Sequence, residues 1–222
     1  MRDFLENLEA SLQYVPEGLL DSLLLQTTVQ IQDFSYAQWI LDESHNLSTL
    51  ERTLYQAIIF ENNGNNKEAI EAIEAYTSQY DNNMTLLNNL GTSYLDMGDY
   101  RQASKYFEQS LELAKTSEYM FTVKKNMAIW ALQQGEINTA KLYIRHLPDS
   151  QLTHKRVIAD LLQLAVEDNP SQIQAIVSRI EKNRYSIPSS VMSHYTIHAL
   201  QKASDNLNNP IFSEIIRKIV LN

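Results

Sequence analysis

Several residue types are rare or missing in this chain of 222 residues, and each absence excludes a structural feature or a type of site. There is no cysteine, which excludes disulfide staples and thiolate metal sites. Only 5 glycines and 5 prolines are present, with no long Gly/Ser or Pro run, so neither a linker nor a disordered tail is predicted. No apolar run reaches the roughly 18 residues that a membrane span requires. We therefore expect no membrane segment.

Basic residues are scarce in the first half of the chain. Residues 1–100 contain 3 basic and 16 acidic side chains, a net charge of −13, whereas residues 101–222 carry a net charge of +4. The acidic half disfavours duplex nucleic acid as a ligand, because neutralisation of phosphates dominates that affinity. It favours a basic partner, and an ordinary difference between solvated helix faces is the alternative interpretation.

Residues 87–107 carry the most informative pattern. Apolar and small side chains recur there at the spacing of a 34-residue helix–turn–helix repeat: Leu87, Leu90, Gly91, Tyr94, Ala103 and Phe107. Gly64 and Gly98 lie 34 residues apart, and Gly135 follows 37 residues later. Each glycine ends an apolar-periodic segment, as expected of a residue that adopts the left-handed conformation at a helix C-terminus. Small residues are required where two helices approach closely, which predicts a packing role for Gly91 and Ala103.

The remaining segments also show helical periodicity. Residues 157–166 are predicted to be helical, and Pro170 begins another helix at its first turn. Ile187-Pro188-Ser189 predicts a break, and Asn208-Asn209-Pro210 precede a last amphipathic helix over 211–221. No alternating β-branched segment competes with this interpretation. We expect about twelve or thirteen helices.

The repeat pattern resembles the tetratricopeptide repeat (TPR) family. Residues 84–117 match best, residues 50–83 and 121–150 match more weakly, and residues 18–49 form a degenerate unit, since Gln32-Asp33 parallels Gly98-Asp99. The resemblance implies an all-α fold, a right-handed solenoid of αα-hairpins. We predict a single domain over 1–222 in which residues 151–222 supply C-terminal hairpins and a cap.

In the TPR family, certain positions of the first helix of each repeat line a concave groove. Carried over to this sequence, the resemblance implies a groove for a protein or peptide lined by Leu54, Tyr55, Ile58, Glu61, Asn88, Asn89, Thr92, Asp96, Lys125, Asn126 and Ile129, with Gln133 at a further such position. Asparagine offers a donor and an acceptor, so it can hold the backbone of an extended peptide. Ordinary solvated helix residues are the alternative. The Lys, Asn and Arg clamp of chaperone-binding TPR domains is not present, because Leu54 and Ile58 stand at two of its positions.

Sequence signals of catalysis are missing. There is neither a glycine-rich phosphate loop nor a GxSxG motif. His194 and His198 share a helix face, but the glutamate of HExxH and further ligands are missing, so we predict no metal. We expect a non-enzymatic protein without a cofactor.

These observations predict a cytoplasmic scaffold or adaptor that binds another protein or peptide. The acidic first half of the chain favours a basic partner. Residues 1–11 lack the layout of a signal peptide, which supports the cytoplasmic prediction. Three alternatives stay open. They are a peptide-sensing domain of the bacterial pheromone-receptor type, a secretion-type chaperone, and a structural adaptor that assembles with itself.

Overall fold

The computed structural model describes residues 17–80, 82–184 and 194–220. Over these residues the chain forms twelve α-helices and no β-strand. The helices are α1 (Glu17–Gln30), α2 (Phe34–Glu43), α3 (Thr49–Asn62), α4 (Asn66–Thr77), α5 (Met84–Asp96), α6 (Tyr100–Leu113), α7 (Ser117–Gln133), α8 (Ile137–Arg145), α9 (Thr153–Val166), α10 (Pro170–Arg184), α11 (His194–Asn206) and α12 (Pro210–Val220). The predicted all-α class of helix hairpins is confirmed.

The chain divides into two compact units, with the boundary between Asn82 and Asn83. The first unit contains α1 to α4. Its buried cluster is drawn from α1, α2 and α3 and includes Leu25, Ala37 and Ile59. Arg52 of α3 donates from Nη1 to the carbonyl of Leu41 at 2.6 Å and from Nη2 to the carbonyl of Ser44. A guanidinium is favourable at that place, because the last carbonyls of a helix lack partners within the helix.

The second unit contains α5 to α12, and its core continues from Leu95 to Ile216. The α5–α6 hairpin shows why its sequence contains small residues. Gly91 of α5 is buried, and a Cβ atom at that position would lie 2.4 Å from the Phe107 ring of α6. Ala103 of α6 has no exposed surface. The predicted packing role of both residues is confirmed.

The turns inside the hairpins follow the predicted glycine pattern. Gly98, between α5 and α6, has φ +79°, in the left-handed region that disfavours residues with a Cβ atom. Gly64 and Gly135 have the same conformation, at φ +76° and +72°. Asp99 then accepts a hydrogen bond from the backbone N–H of Gln102 at 3.0 Å and so caps α6. The predicted left-handed glycines are confirmed.

The turn between α1 and α2 repeats this geometry without a glycine. Gln32 has φ +61°, and Asp33 accepts a hydrogen bond from the backbone N–H of Tyr36 at 3.1 Å. Gln32 therefore holds the conformation of Gly98, and Asp33 holds the capping role of Asp99. The Gln32 side chain is exposed, so it gains no packing in return for its backbone strain.

We expect Gln32→Gly to stabilise the first unit by about 1 kcal/mol, because it removes the left-handed penalty of a residue with a Cβ atom. The extra entropy of glycine in the unfolded chain makes this gain smaller than the full penalty. Native-state hydrogen exchange of the amides in α1 and α2 measures it. Gly98→Gln is the matched reverse change and should destabilise the second unit by a similar amount. An unchanged exchange rate in Gln32→Gly, with a clear loss in Gly98→Gln, would contradict the equivalence of the two turns.

The C-terminal helices begin and end close to their predicted bounds. Pro170 and Pro210 are the first residues of α10 and α12, where a missing N–H has no consequence for the helix. Residue 221, the predicted end of the last helix, the break at Ile187-Pro188-Ser189 and the segment 1–11 lie outside the described residues. Among the residues that the structure describes, every helix is too short or too polar to span a bilayer.

Candidate functional site

The predicted groove residues belong to three helices in two separate units. Leu54, Tyr55, Ile58 and Glu61 lie on α3; Asn88, Asn89, Thr92 and Asp96 lie on α5; Lys125, Asn126 and Ile129 lie on α7. The α3 residues are all partly exposed, and Tyr55 packs against the core of the first unit. The other seven are brought together within the second unit. Whether a partner contacts them stays a prediction.

Helices α5 and α7 are joined directly by two of the predicted asparagines. The Nδ2 atom of Asn126 donates to the Oδ1 atom of Asn88 at 2.9 Å, and both side chains are buried. Each asparagine lies inside the first helix of its hairpin, so this bond holds α5 and α7 side by side. We call the surface that they form the α5–α7 face; it comprises Asn88, Asn89, Asp96, Lys125, Asn126, Ile129 and Gln133.

The chain's own helix α11 lies against the α5–α7 face. The Nζ atom of Lys125 lies 3.1 Å from the Oγ1 atom of Thr196, and the Nε2 atom of Gln133 donates to the carbonyl of Ala199 at 3.1 Å. Residues four apart share one side of a helix, so Ile129 lies between these two contacts. Ile129 has no exposed surface. This candidate apolar anchor is therefore covered by α11.

Two further contacts attach α11 to the C-terminal ends of α5 and α7. The Nζ atom of Lys202 donates to the carbonyl of Asp96 at 2.9 Å, and the Nδ2 atom of Asn206 donates to the carbonyl of Gln133 at 2.7 Å. Asp96 and Gln133 are the last residues of their helices. The final carbonyls of a helix lack internal partners and carry the negative end of its dipole. Lys202 and Asn206 therefore bind where a cationic or amide donor is favourable.

Charge is complementary across this contact. Burial raises the pKa of Asp96 above its usual value, and Lys202 and His198 of α11 act in the opposite direction. The acidic residue that the sequence assigned to a basic partner thus faces basic side chains of the same chain. The attraction of these side chains offsets part of the cost of burying the Asp96 carboxylate.

The fit of α11 to the face is incomplete. Four enclosed polar atoms have no hydrogen-bond partner among the described residues: Asn89 Nδ2, Asp96 Oδ1, Asn126 Oδ1 and Gln133 Oε1. Asn126 and Gln133 are only 1% and 3% exposed. An enclosed polar atom without a partner costs about 1–3 kcal/mol. The face therefore keeps hydrogen-bonding capacity that α11 does not use.

Lys125 is the most perturbed group of the face. Burial and, to a smaller degree, the nearby Lys155 ammonium lower the pKa of Lys125 from 10.5 to about 8. The unfolded chain therefore binds this proton more tightly than the folded chain does. The buried charge on Lys125 lowers the free energy of unfolding at neutral pH. The free energy of unfolding rises again as pH increases from about 8 towards 10.5.

We expect Lys125→Met to be more stable than the parent at pH 7 and to lose this advantage as pH rises. The parent should gain up to about 3 kcal/mol relative to the variant between roughly pH 7 and pH 10, because a pKa unit corresponds to about 1.4 kcal/mol. Chemical denaturation followed by Trp130 fluorescence in a Trp39→Phe background isolates the second unit. Parallel pH profiles of parent and variant would show that Lys125 is not desolvated.

Sequence reasoning missed the α11 side of this site. Thr196, Ala199 and Ala203 are buried, and together with Asn206 they form a stripe of small and polar residues. The spacing of the stripe was a signal for close helix packing. It could not identify α5 and α7 as the packing partners, because the Asp96–Lys202 contact joins positions 106 residues apart.

Among the described residues, no group of three or more His, Asp or Glu side chains is placed to hold a metal ion.

A family model described as tetratricopeptide repeat matches residues 46–116 and, in an overlapping placement, residues 82–146. The matches cover α3 to α8 and include the first-unit candidates as well as α5 and α7. No curated protein matches the chain significantly, and no solved structure does.

Proposed function

Because the chain belongs to the tetratricopeptide repeat superfamily through residues 46–146, we propose that it is a non-catalytic scaffold that binds a partner protein on its α5–α7 face. Tetratricopeptide repeats generally mediate interactions between proteins, and members of the superfamily are typically scaffolds without catalysis. The proposal assigns the binding role to α5 and α7, the first helices of their hairpins, rather than to the second helices α6 and α8.

One observation carries the proposal. The α5–α7 face already holds a polypeptide segment, α11, through two side chains of α7 and the C-terminal carbonyl of α5. Its amides combine donors and acceptors, as a surface that recognises peptide groups requires. The unpaired atoms of Asn89 and Asn126 add capacity for hydrogen bonds to a partner.

Charge supports a basic partner. Asp96 is accompanied by Lys202 and His198, so the face already accepts cationic groups. In the first unit, Leu54, Ile58 and Glu61 follow one another along α3 and remain partly exposed. We include them in the proposal as a second surface with two apolar positions and one acidic position. Attraction between opposite charges speeds encounter and weakens as salt rises.

The proposal is tested by selecting peptides from a random display library on the full chain. Asn89→Ala should weaken binding of the selected peptides about tenfold or more, the equivalent of about 1.4 kcal/mol, with little loss of stability, because the Nδ2 atom of Asn89 has no partner to lose. Asp96→Asn should slow association and flatten its salt dependence. Lys105→Ala, an exposed change on the second helix α6, is the control and should bind like the parent.

Peptides that bind the Asn89→Ala and Asp96→Asn variants as tightly as the parent would place the binding surface elsewhere. A library that yields no peptide above background would count against a peptide-recognition role for the chain.

A further inference from the structure

We propose that α11 is an exchangeable internal ligand, and that the α5–α7 face takes a basic helical segment of a partner protein in its place. This inference rests on the proposed function and adds the conformation and chemistry of the partner. It also adds a consequence for regulation, since the face is available only when α11 leaves.

The way in which α11 is attached supports a ligand-like role. Both ends of the contact are polar: Thr196 meets Lys125 near one end, and Asn206 meets the Gln133 carbonyl at the other. Between them Ala199 and Ala203 have no exposed surface. Alanines four apart let two helices approach closely on one side. The face therefore fits a helix with a narrow contact side rather than an extended chain.

The unused polar atoms support exchange. With α11 in place, Asn89 Nδ2, Asp96 Oδ1, Asn126 Oδ1 and Gln133 Oε1 have no partner within the described residues. A competing helix that carries Ser, Thr, Asn or Gln at positions facing these atoms would form bonds that α11 does not form. Such a helix has an advantage at the same face without any new apolar contact.

The contacts of α11 also define the chemistry of its competitor. His198 and Lys202 lie one turn apart and both act on Asp96. Lys202 binds the C-terminal carbonyl of α5, and Asn206, one turn later, binds that of α7. The partner segment is therefore a helix with two basic residues four apart, an amide residue four positions further on, and small residues beside them.

The test uses the full chain and a fluorescent synthetic peptide of residues 194–209 as the probe. Two variants weaken the internal contact in different ways. Lys202→Glu places a carboxylate near Asp96, and Ala203→Glu places bulk on the contact side of α11. Lys182→Glu makes the same charge change at an exposed position of α10 and is the control. Hydrogen exchange of α11 and anisotropy of the probe are measured on every protein.

We expect faster exchange in α11 and at least about tenfold tighter probe binding in one or both weakened variants than in the parent and Lys182→Glu. A probe that itself carries Ala203→Glu should not bind. The inference is overturned if α11 exchanges only on global unfolding in all four proteins. It is equally overturned if α11 exchanges rapidly in a variant that still does not bind the probe.

Self-association of the weakened variants, seen by sedimentation without the probe, would identify a second copy of α11 as the occupant and reject a foreign partner. The outcomes separate this inference from the proposed function. Library peptides that depend on Asn89 while α11 stays inseparable from the core would leave the function standing and reject the exchange. If the probe replaces α11 but the library yields no ligand, the exchange of α11 stands and the proposed function is rejected.

Discussion

Ala103→Glu should unfold the second unit or reduce its free energy of unfolding by about 3–5 kcal/mol, the range for a buried charge without a partner. Ala103 has no exposed surface and lies in the same cluster as Phe107 and Ala131. The new side chain combines excess volume with a carboxylate that must lose its hydration. Chemical denaturation followed by Trp130 fluorescence, in the Trp39→Phe background, measures the loss.

Ala175→Glu is the matched control, because it makes the same substitution at an exposed position of α10 in the same unit. Its effect should stay within about 0.5 kcal/mol, as for most surface changes. An Ala103→Glu variant that unfolds at the parental denaturant concentration would contradict the repeat register, and with it the assignment of first and second helices.

Gly91→Ala should destabilise the α5–α6 hairpin by about 1–3 kcal/mol, although alanine is the better helix former by about 1 kcal/mol. The reason is steric. The added Cβ would lie 2.4 Å from two ring atoms of Phe107, and that ring is fully buried. The two helices cannot separate without opening the buried cluster that contains Phe107 and Ala103.

A double-mutant cycle tests this cause directly. Phe107→Leu removes the ring that clashes and costs stability by itself, because it leaves a cavity. In the Phe107→Leu background, Gly91→Ala should cost less than in the parent, since the two changes share one contact. Additive effects in the cycle would show that Gly91 is required for another reason.

The sequence was informative where structure is decided locally. Gly98 and Asp99 mark a turn and a cap through their own backbone and side chain, and the same pattern located the turns at Gly64 and Gly135. The parallel between Gln32-Asp33 and Gly98-Asp99 also indicated a hairpin in the degenerate N-terminal repeat. Gln32 adopts the left-handed conformation there at a cost in strain, which the sequence alone does not reveal.

The candidate site was predictable on one side only. The resemblance to the repeat family placed Asn88 and Asn126 at predicted groove positions of their helices, and the structure joins them by a hydrogen bond. The position of α11 depends on contacts such as Gln133 with Ala199, which are 66 residues apart in the chain. Amphipathic periodicity says that a helix buries one side, but it does not say against what. The burial of Ile129 therefore could not be foreseen.

In our proposal, a partner helix binds the α5–α7 face in place of α11. Hydrogen exchange of the full chain, with and without a library-selected peptide, measures this most directly. We expect amides of α5 and α7 to stay protected or become more protected, while amides of α11 exchange faster. Protection confined to the second helices α6 and α8, with exchange of α11 unchanged, would contradict the proposal.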